Sequence, residues 1–326
     1  MRMHFPVLNL TADEEREFLG DQLPPEASSW TRCPPGADAS GLVDVLAATR
    51  APILVTAWST RELPRDLMQR CPDLRYICHL CGTIRGKIPR ELIAQGLLVS
   101  NWGGSIAPTV AEHALLLALS CLRGIADHQH HLHGDGWRGP PARSLYGRRV
   151  GLHGFGMVAR ALVPLLAPFR CRVSAFAPGD ADADLAAGGV VRSASPAALY
   201  ADSEVLICLV PLTPQTQGLV GEELLSLLRD GAVFVNVGRG AVVDEAALLR
   251  HAPRICIGLD VYRDEPLPVT SPLRRITHAV LTPHIAGPTA DRRCDAGAFG
   301  LANIRRFLAG ERPQAVIDLD RFDTQT

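Results

Sequence analysis

A surplus of charge is missing from this sequence: 33 lysines and arginines stand against 34 aspartates and glutamates, a formal net charge of -1 over 326 residues. Chains that grip nucleic acid through its phosphates carry a basic face, and none is implied here. Also missing is an apolar run of membrane-spanning length. The opening residues, Met1 to Glu15, turn acidic too early to contain a signal-peptide core, so a cytoplasmic location and no membrane partner are expected. Nine cysteines, an odd number, lie mostly within apolar stretches, which suits reduced, buried thiols better than a disulfide framework. The remaining composition, 47% hydrophobic and 21% charged, is that of a globular chain long enough for about two domains, each with its own core.

The most informative stretch runs from Val150 to Pro178. An apolar segment leads into Gly154-Phe155-Gly156-Met157-Val158-Ala159, then an apolar-periodic run to Leu166, then a second strand-like segment, Arg172 to Ala177. A strand feeding G-x-G-x-x-A into a helix, with another strand behind it, is the dinucleotide-binding βαβ unit. Gly154 permits the sharp turn, Gly156 lets backbone N–H groups approach a pyrophosphate, and Ala159 keeps the helix close to its strand. Phe155, Met157 and Val158 complete the segment expected to meet the cofactor. Pro164 and Pro168 predict a kink or an early end, because an interior proline removes a helical hydrogen bond.

One absence inside this unit bears on the cofactor. The acid that usually follows about 20 residues on and holds the ribose 2′-hydroxyl of NAD is replaced by Ala177. Its loss removes the barrier to a 2′-phosphate, but the nearest downstream arginine is Arg192, and Asp180 is a carboxylate available to the ribose instead. NAD and NADP both stay open, with NAD favoured.

Along the rest of the chain, strand and helix patterns alternate. Val7 to Leu10 reads as a strand, and Thr11 with Glu14 forms a capping box opening a helix that Gly20 can end. Pro52–Thr56, Leu74–His79 and Leu97–Ser100 read as buried parallel strands of a first lobe, with Pro24, Pro25, Pro34 and Pro35 marking loops. A long helix of about five turns is expected from Pro108 to about His128. The run His128 to His133 reads as a polar helix end before the Gly134-Asp135-Gly136 turn rather than as a metal site, for want of a second ligand cluster. Cys78-His79-Leu80-Cys81, a lone C-x-x-C, reads as a strand end. After the glycine turn come a helix begun by Ser195-Pro196 and strands over 204–210, 232–237, 254–261 and 278–282. The alternation predicts an α/β fold with a parallel sheet covered on both faces.

In such a sheet the carboxyl ends of the strands line the ligand crevice. Val210 and Pro211 end one strand, and Val237 and Gly238 end the next and run into Arg239. Asp260, Glu265 and His284 follow the last two. An imidazole can protonate a forming alkoxide, a carboxylate beside it favours the protonated form, and a guanidinium can bind an acid and polarise its carbonyl. Together they suit hydride transfer to a carbonyl.

Over about Val45 to Asp318 the chain resembles the D-isomer-specific 2-hydroxyacid dehydrogenases. The blocks that carry the resemblance are Asn101 through the VAEH of Val110 to His113, GRRVGLHGFGMVAR, CLVPLTPQTQGLVG, FVNVGRGAVVDEAAL, IGLDVYRDEPLP and LTPHIAG. It implies that His284 is the general acid/base, Glu265 its carboxylate partner and Arg239 the substrate-binding arginine. By the same resemblance Asp260 lies near the nicotinamide carboxamide, and the backbone around Cys81 and Gly82 holds the substrate carboxylate. The implied fold is two Rossmann-like lobes, with a cofactor lobe at 101–286 inserted into a substrate lobe of 1–100 and 287–326, and the implied assembly is a homodimer. Where most members carry Asp-Asn after the substrate-loop glycine, this chain has Thr83-Ile84-Arg85; Arg85 either meets a second anionic group on a larger substrate or faces solvent. Formate-oxidising relatives carry glutamine where Glu265 stands, which disfavours formate. The activity implied is NAD(P)-dependent reduction of a 2-keto acid. The alternative is a nucleotide-sensing, corepressor-like scaffold of the same fold.

Overall fold

A computed structural model describes residues 5–24, 28–34, 37–134, 136–137, 139–178 and 182–324. Pro25, Pro35, Asp135 and Asp180 lie outside the described residues. The chain divides into two compact units, residues 1–106 with 288–326, and residues 107–287.

In the first unit the strands are β1 (Val7–Asn9), β2 (Thr31–Arg32), β3 (Ile53–Thr56), β4 (Tyr76–His79) and β5 (Leu98–Ser100). They pair in parallel in the order β2-β1-β3-β4-β5. Successive side chains on a strand point to opposite faces, and here both faces are covered. Leu54, Ile77 and Val99 join one core with Leu42, Leu46 and Leu92. Ile53, Val55, Tyr76 and Cys78 join the other with Phe18, Leu301 and Ile304. That two-sided burial is why these strands read as continuous apolar runs.

The capping box is present: Thr11 Oγ1 accepts from Glu14 N and Glu14 Oε2 accepts from Thr11 N. The helix it opens, Ala12–Glu14, widens into a π-helical turn, Glu15–Leu19, and stops at Gly20. Glu14 is only 7% exposed and also accepts from Ser59, at 2.8 Å from the backbone N–H and again from the hydroxyl.

In the second unit the strands are β6 (Arg149–His153), β7 (Arg172–Phe176), β8 (Val191–Arg192), β9 (Val205–Cys208), β10 (Val233–Asn236), β11 (Cys256–Leu259) and β12 (Val280–Leu281). All run parallel, in the order β12-β11-β10-β9-β6-β7-β8. The order reverses between β6 and β9, the switch point where doubly wound sheets bind their ligands.

One expectation needs correction. The long helix is not one continuous element ending near His128: it breaks at Gly124 (φ 59), giving Ala107–Arg123 and Ile125–His133 at 57° to each other. A left-handed glycine ends the first helix, and the histidine run therefore lies on the second. No single helix among the described residues is long and apolar enough to cross a membrane. The helix after the glycine turn keeps Pro164 inside Met157–Leu166 and tightens to a 3-10 turn over Ala167–Phe169.

Glu14 ties the capping box to the segment after β3. Replacing it with alanine removes the acceptor for Thr11 N and for both Ser59 groups. A loss of roughly 1–3 kcal/mol in unfolding free energy is expected, measured by urea denaturation.

Candidate active site

The register of the second sheet sets the site. His153, Cys208, Asn236, Leu259 and Leu281 pair side by side across β6, β9, β10, β11 and β12. The strands therefore finish level, and the segments beginning at Gly154, Val210, Gly238, Asp260 and Thr282 all leave the sheet along one edge.

At that edge the glycine turn packs tightly on one side and opens on the other. Gly154 has φ +104, and a Cβ there would lie 2.9 Å from the Leu209 carbonyl oxygen. A Cβ on Gly156 would meet nothing within 4 Å. Gly156 starts the helix Met157–Leu166 without a side-chain cap. An uncapped helix start, with its positive dipole end, beside a glycine that has open space in place of a side chain is a fit for pyrophosphate. Phe155 is buried under the Arg160 guanidinium, 4.9 Å from its ring, while Met157 is half exposed. Val210 and Val237 are buried and Pro211 is exposed. Gly238 lies against β9's end, where a Cβ would sit 2.9 Å from Val210 O.

Ala177 is buried just past β7. Arg192, distant in sequence, stands on the neighbouring strand, and its Nη1 donates to Ala177 O at 3.2 Å. Strand pairing, invisible in the spacing, brings the arginine to the position of the missing acid.

Further along the edge, His284 Nδ1 and Glu265 Oε2 are 2.6 Å apart. Glu265 is held in turn by the Tyr262 N–H, which donates to Oε1 at 2.9 Å. With Nδ1–H given to the carboxylate, Nε2 is the nitrogen left to exchange a proton. The two side chains are 46% and 35% exposed, so a small molecule can reach them. Burial pushes the pKa of Arg239 down while the Glu265 charge pushes it up; guanidinium stays charged throughout the physiological range. The Tyr262 hydroxyl, raised to about 12 chiefly by burial, donates to Thr282 O at 3.0 Å.

Asp260 has no exposed surface. Its Oδ1 accepts from Thr282 Oγ1 (2.7 Å) and Ile285 N (2.8 Å), its Oδ2 from Ala286 N (2.9 Å), and its own carbonyl from His284 N (2.8 Å). These bonds clamp the turn on which His284 sits with a left-handed φ of 54°.

Three supporting residues carried no role in the sequence reading. Asn236, 1% exposed, staples the Arg239 turn: its Nδ2 donates to Arg239 O (3.1 Å) and its Oδ1 accepts from Gly238 N (3.0 Å). Thr282 gives its proton to Asp260, so its oxygen is free to accept from His113 Nε2 at 2.9 Å. His113 thereby reaches Asp260 through Thr282, with Nε2 itself 3.5 Å from Oδ1. Only the VAEH, FVNVGRGAVVDEAAL and LTPHIAG blocks hinted at these residues.

In the first unit, Cys81 and Gly82 follow β4. Burial pushes the Cys81 thiol well above its usual range, leaving it neutral and unreactive, so only its backbone is available to a ligand. Asn101 Nδ2 donates to Gly82 O at 2.7 Å. Arg85 is exposed, in keeping with the solvent-facing expectation, and it also bonds carbonyls of the chain itself. Its Nη2 donates to the carbonyls of Phe322 and Asp323, each at 2.8 Å, and its guanidinium lies 5.8 Å from the Phe322 ring centroid. Orphan carbonyls near the end of the helix Leu319–Thr324 attract it. His79, beside this loop and 1% exposed, is lowered to about 3 by burial and bonds Thr56 Oγ1 through Nδ1 at 2.9 Å.

The family model described as "D-isomer specific 2-hydroxyacid dehydrogenase, NAD binding domain" matches residues 115–286, more than half of the chain. The chain belongs to that family and carries its NAD binding domain. It is 30% identical to a D-3-phosphoglycerate dehydrogenase of Mycobacterium leprae over 98% of this chain and 60% of that protein, so it spans less than two thirds of that relative's length. It is 29% identical to glyoxylate/hydroxypyruvate reductase B of Pectobacterium atrosepticum over 82% of this chain and 88% of the relative. The fold matches the crystal structure of an NAD-complexed D-isomer specific 2-hydroxyacid dehydrogenase from Lactobacillus delbrueckii ssp. bulgaricus, with a TM-score of 0.82, 18% identity, and coverage of 96% and 99% of the two chains.

The His113–Thr282–Asp260 relay is testable through its effect on catalytic geometry. Thr282→Val, which cannot bridge, should lower kcat by roughly tenfold or more while KM stays within about twofold, since small misplacements of a reacting group are costly. Thr282→Ser should restore most of the rate in the same steady-state assay.

Proposed function

We propose that this chain is an NAD(P)-dependent oxidoreductase that reduces 2-keto acids to D-2-hydroxy acids. The observation that carries the reading is the 2.6 Å His284–Glu265 pair, placed with Arg239 along the same sheet edge as the open glycine turn. A nicotinamide dinucleotide held by the turn and helix from Gly154 to Val158 supplies the hydride. His284 Nε2 gives its proton to the carbonyl oxygen, completing the two-electron reduction to the alcohol. Glu265 fixes the imidazole tautomer and offsets the positive charge before transfer. Arg239 binds the substrate carboxylate and draws electron density from the carbonyl. Backbone N–H groups around Cys81 and Gly82 are donors suited to a carboxylate. The relatives described above are dehydrogenases and reductases, so the scaffold alternative gains no support.

Cofactor choice turns on Ala177 and Arg192. With no carboxylate at position 177 to repel a 2′-phosphate, and Arg192 donating to Ala177 O, NADPH should be accepted as well as NADH. We place the protein in the cytoplasm, where its cysteines, none in a disulfide among the described residues, stay reduced. We also propose a homodimer, supported by the exposed Leu116, Ile125 and Leu132 on the two helices after Ile106.

Oxidation of NADH and NADPH, followed separately at 340 nm against a panel of 2-keto acids, tests the activity. His284→Ala should lower kcat by about 10²–10⁴-fold, and Arg192→Ala should raise KM for NADPH more than for NADH. Folded wild-type protein without turnover on any keto acid would sink the dehydrogenase reading. Light scattering should give about twice the 35.1 kDa chain mass; a monomer at micromolar concentration overturns the dimer.

A further inference from the structure

Beside the end of β7, where the ribose-holding acid is missing, stands a second imidazole. His153 is the last residue of β6, one before Gly154, and it pairs in register with Phe176 at the end of β7 and Cys208 at the end of β9. It therefore lies in the middle of the carboxyl edge, at the reversal of strand order between β6 and β9. Its ring packs on Phe176, with centroids 6.1 Å apart and planes at 62°, and Phe176 leads directly to Ala177. Arg192 bonds Ala177 O from β8, on the other side of β7. The vacant acid position is thus flanked by His153 on one side and Arg192 on the other. In a dinucleotide-binding unit the pyrophosphate lies at the glycine turn and the adenosine ribose at the end of the second strand. A side chain between those two places stands beside the ribose.

The surroundings of His153 fix which of its nitrogens carries the proton. The residue is 3% exposed, and burial lowers its pKa to about 4, so the ring is neutral, with one donor and one acceptor nitrogen. Nδ1 is 3.1 Å from the hydroxyl of Tyr200, on the helix Pro196–Asp202. Tyr200 has no exposed surface, and burial keeps its hydroxyl protonated. Among the described residues His153 is the one hydrogen-bond partner of that hydroxyl. A buried O–H without an acceptor is costly, so the hydroxyl donates to Nδ1 and the imidazole proton sits on Nε2.

That Nε2–H has no hydrogen-bond partner among the described residues. Nor is it sealed from solvent: the inaccessible side-chain atoms without a partner among those residues belong to His79 and Arg293. A donor oriented by a buried tyrosine, packed on all but a sliver of its surface and left without an acceptor at the ligand edge, is a donor kept for a ligand.

We propose that His153 holds the adenosine ribose of the dinucleotide, its Nε2–H donating to the 2′-oxygen in place of the carboxylate that position 177 lacks. This rests on the cofactor reading above and names how the adenosine half is recognised. A carboxylate accepts from a 2′-hydroxyl and repels a 2′-phosphate. A neutral N–H pairs with the oxygen of either, and more strongly with the charged one. His153 therefore secures the ribose without excluding NADPH.

The test is direct binding with no keto acid present, by fluorescence titration of NADH, NADPH and the 2′-deoxyadenosine analogue of NADH. Wild-type protein should bind NADH about three- to tenfold more tightly than the 2′-deoxy analogue. His153→Asn keeps an acceptor for Tyr200 but does not reach the Nε2 position. It should weaken NADH by about three- to tenfold and NADPH by about tenfold or more, and leave the 2′-deoxy analogue within about twofold. His153→Gln, which carries an amide near the Nε2 position, should recover most of the affinity. Equal wild-type affinity for NADH and its 2′-deoxy analogue overturns the proposal whether or not the variants fold. So does His153→Asn if it weakens all three nucleotides by the same factor, the mark of a purely structural role. Absence of keto-acid turnover sinks the reductase reading alone, because these affinities are read without any substrate.

Discussion

A carboxylate with no exposed surface, Asp260, holds the turn on which the His284 imidazole stands. Taking such a group out of water costs several kcal/mol unless donors replace the solvent. Here the donors are the backbone of Ile285 and Ala286 and the hydroxyl of Thr282, the segment that must be ordered if His284 is to keep its place. The desolvation penalty and the demand for catalytic geometry therefore meet in one set of bonds. His113 extends that set to the helix Ala107–Arg123, so a turn at the end of β12 is tied to an element packed across β10 and β11.

Both units use the same physical arrangement. Parallel strands buried on two faces carry apolar side chains along their length, and the chain becomes polar or glycine-rich only where it leaves the sheet. In the second unit that edge carries the open glycine turn at Gly156, a guanidinium, and an imidazole–carboxylate pair. In the first it carries the Cys81–Gly82 loop, bonded through Gly82 O to Asn101. The sheets supply rigidity, and the segments at their carboxyl ends supply chemistry.

Much of this was legible in the residue order. The capping box at Thr11 and Glu14 stands as its spacing implied, because it depends on residues three apart. The glycine turn is equally local, and the strand cores follow from short apolar runs. Glu265 and His284 were named from their positions after strands, and they meet at 2.6 Å. The break at Gly124 was hidden because one glycine in an apolar-periodic run is compatible with either a continuous or a bent helix; packing selected the left-handed turn. Arg85 could not be placed from sequence because its partners, the carbonyls of Phe322 and Asp323, lie more than 230 residues away.

The sequence by itself determined the fold class, the dinucleotide turn, the family, and the residue types of the imidazole–carboxylate pair, since each depends on short-range spacing or on blocks in fixed order. Tertiary structure alone decided that Arg192 stands beside Ala177 and that Asp260 is a clamp joined through Thr282 to His113. Those pairings depend on which strands lie side by side and in what register. That follows from burying two faces of a sheet at once, and no local pattern in the chain records it.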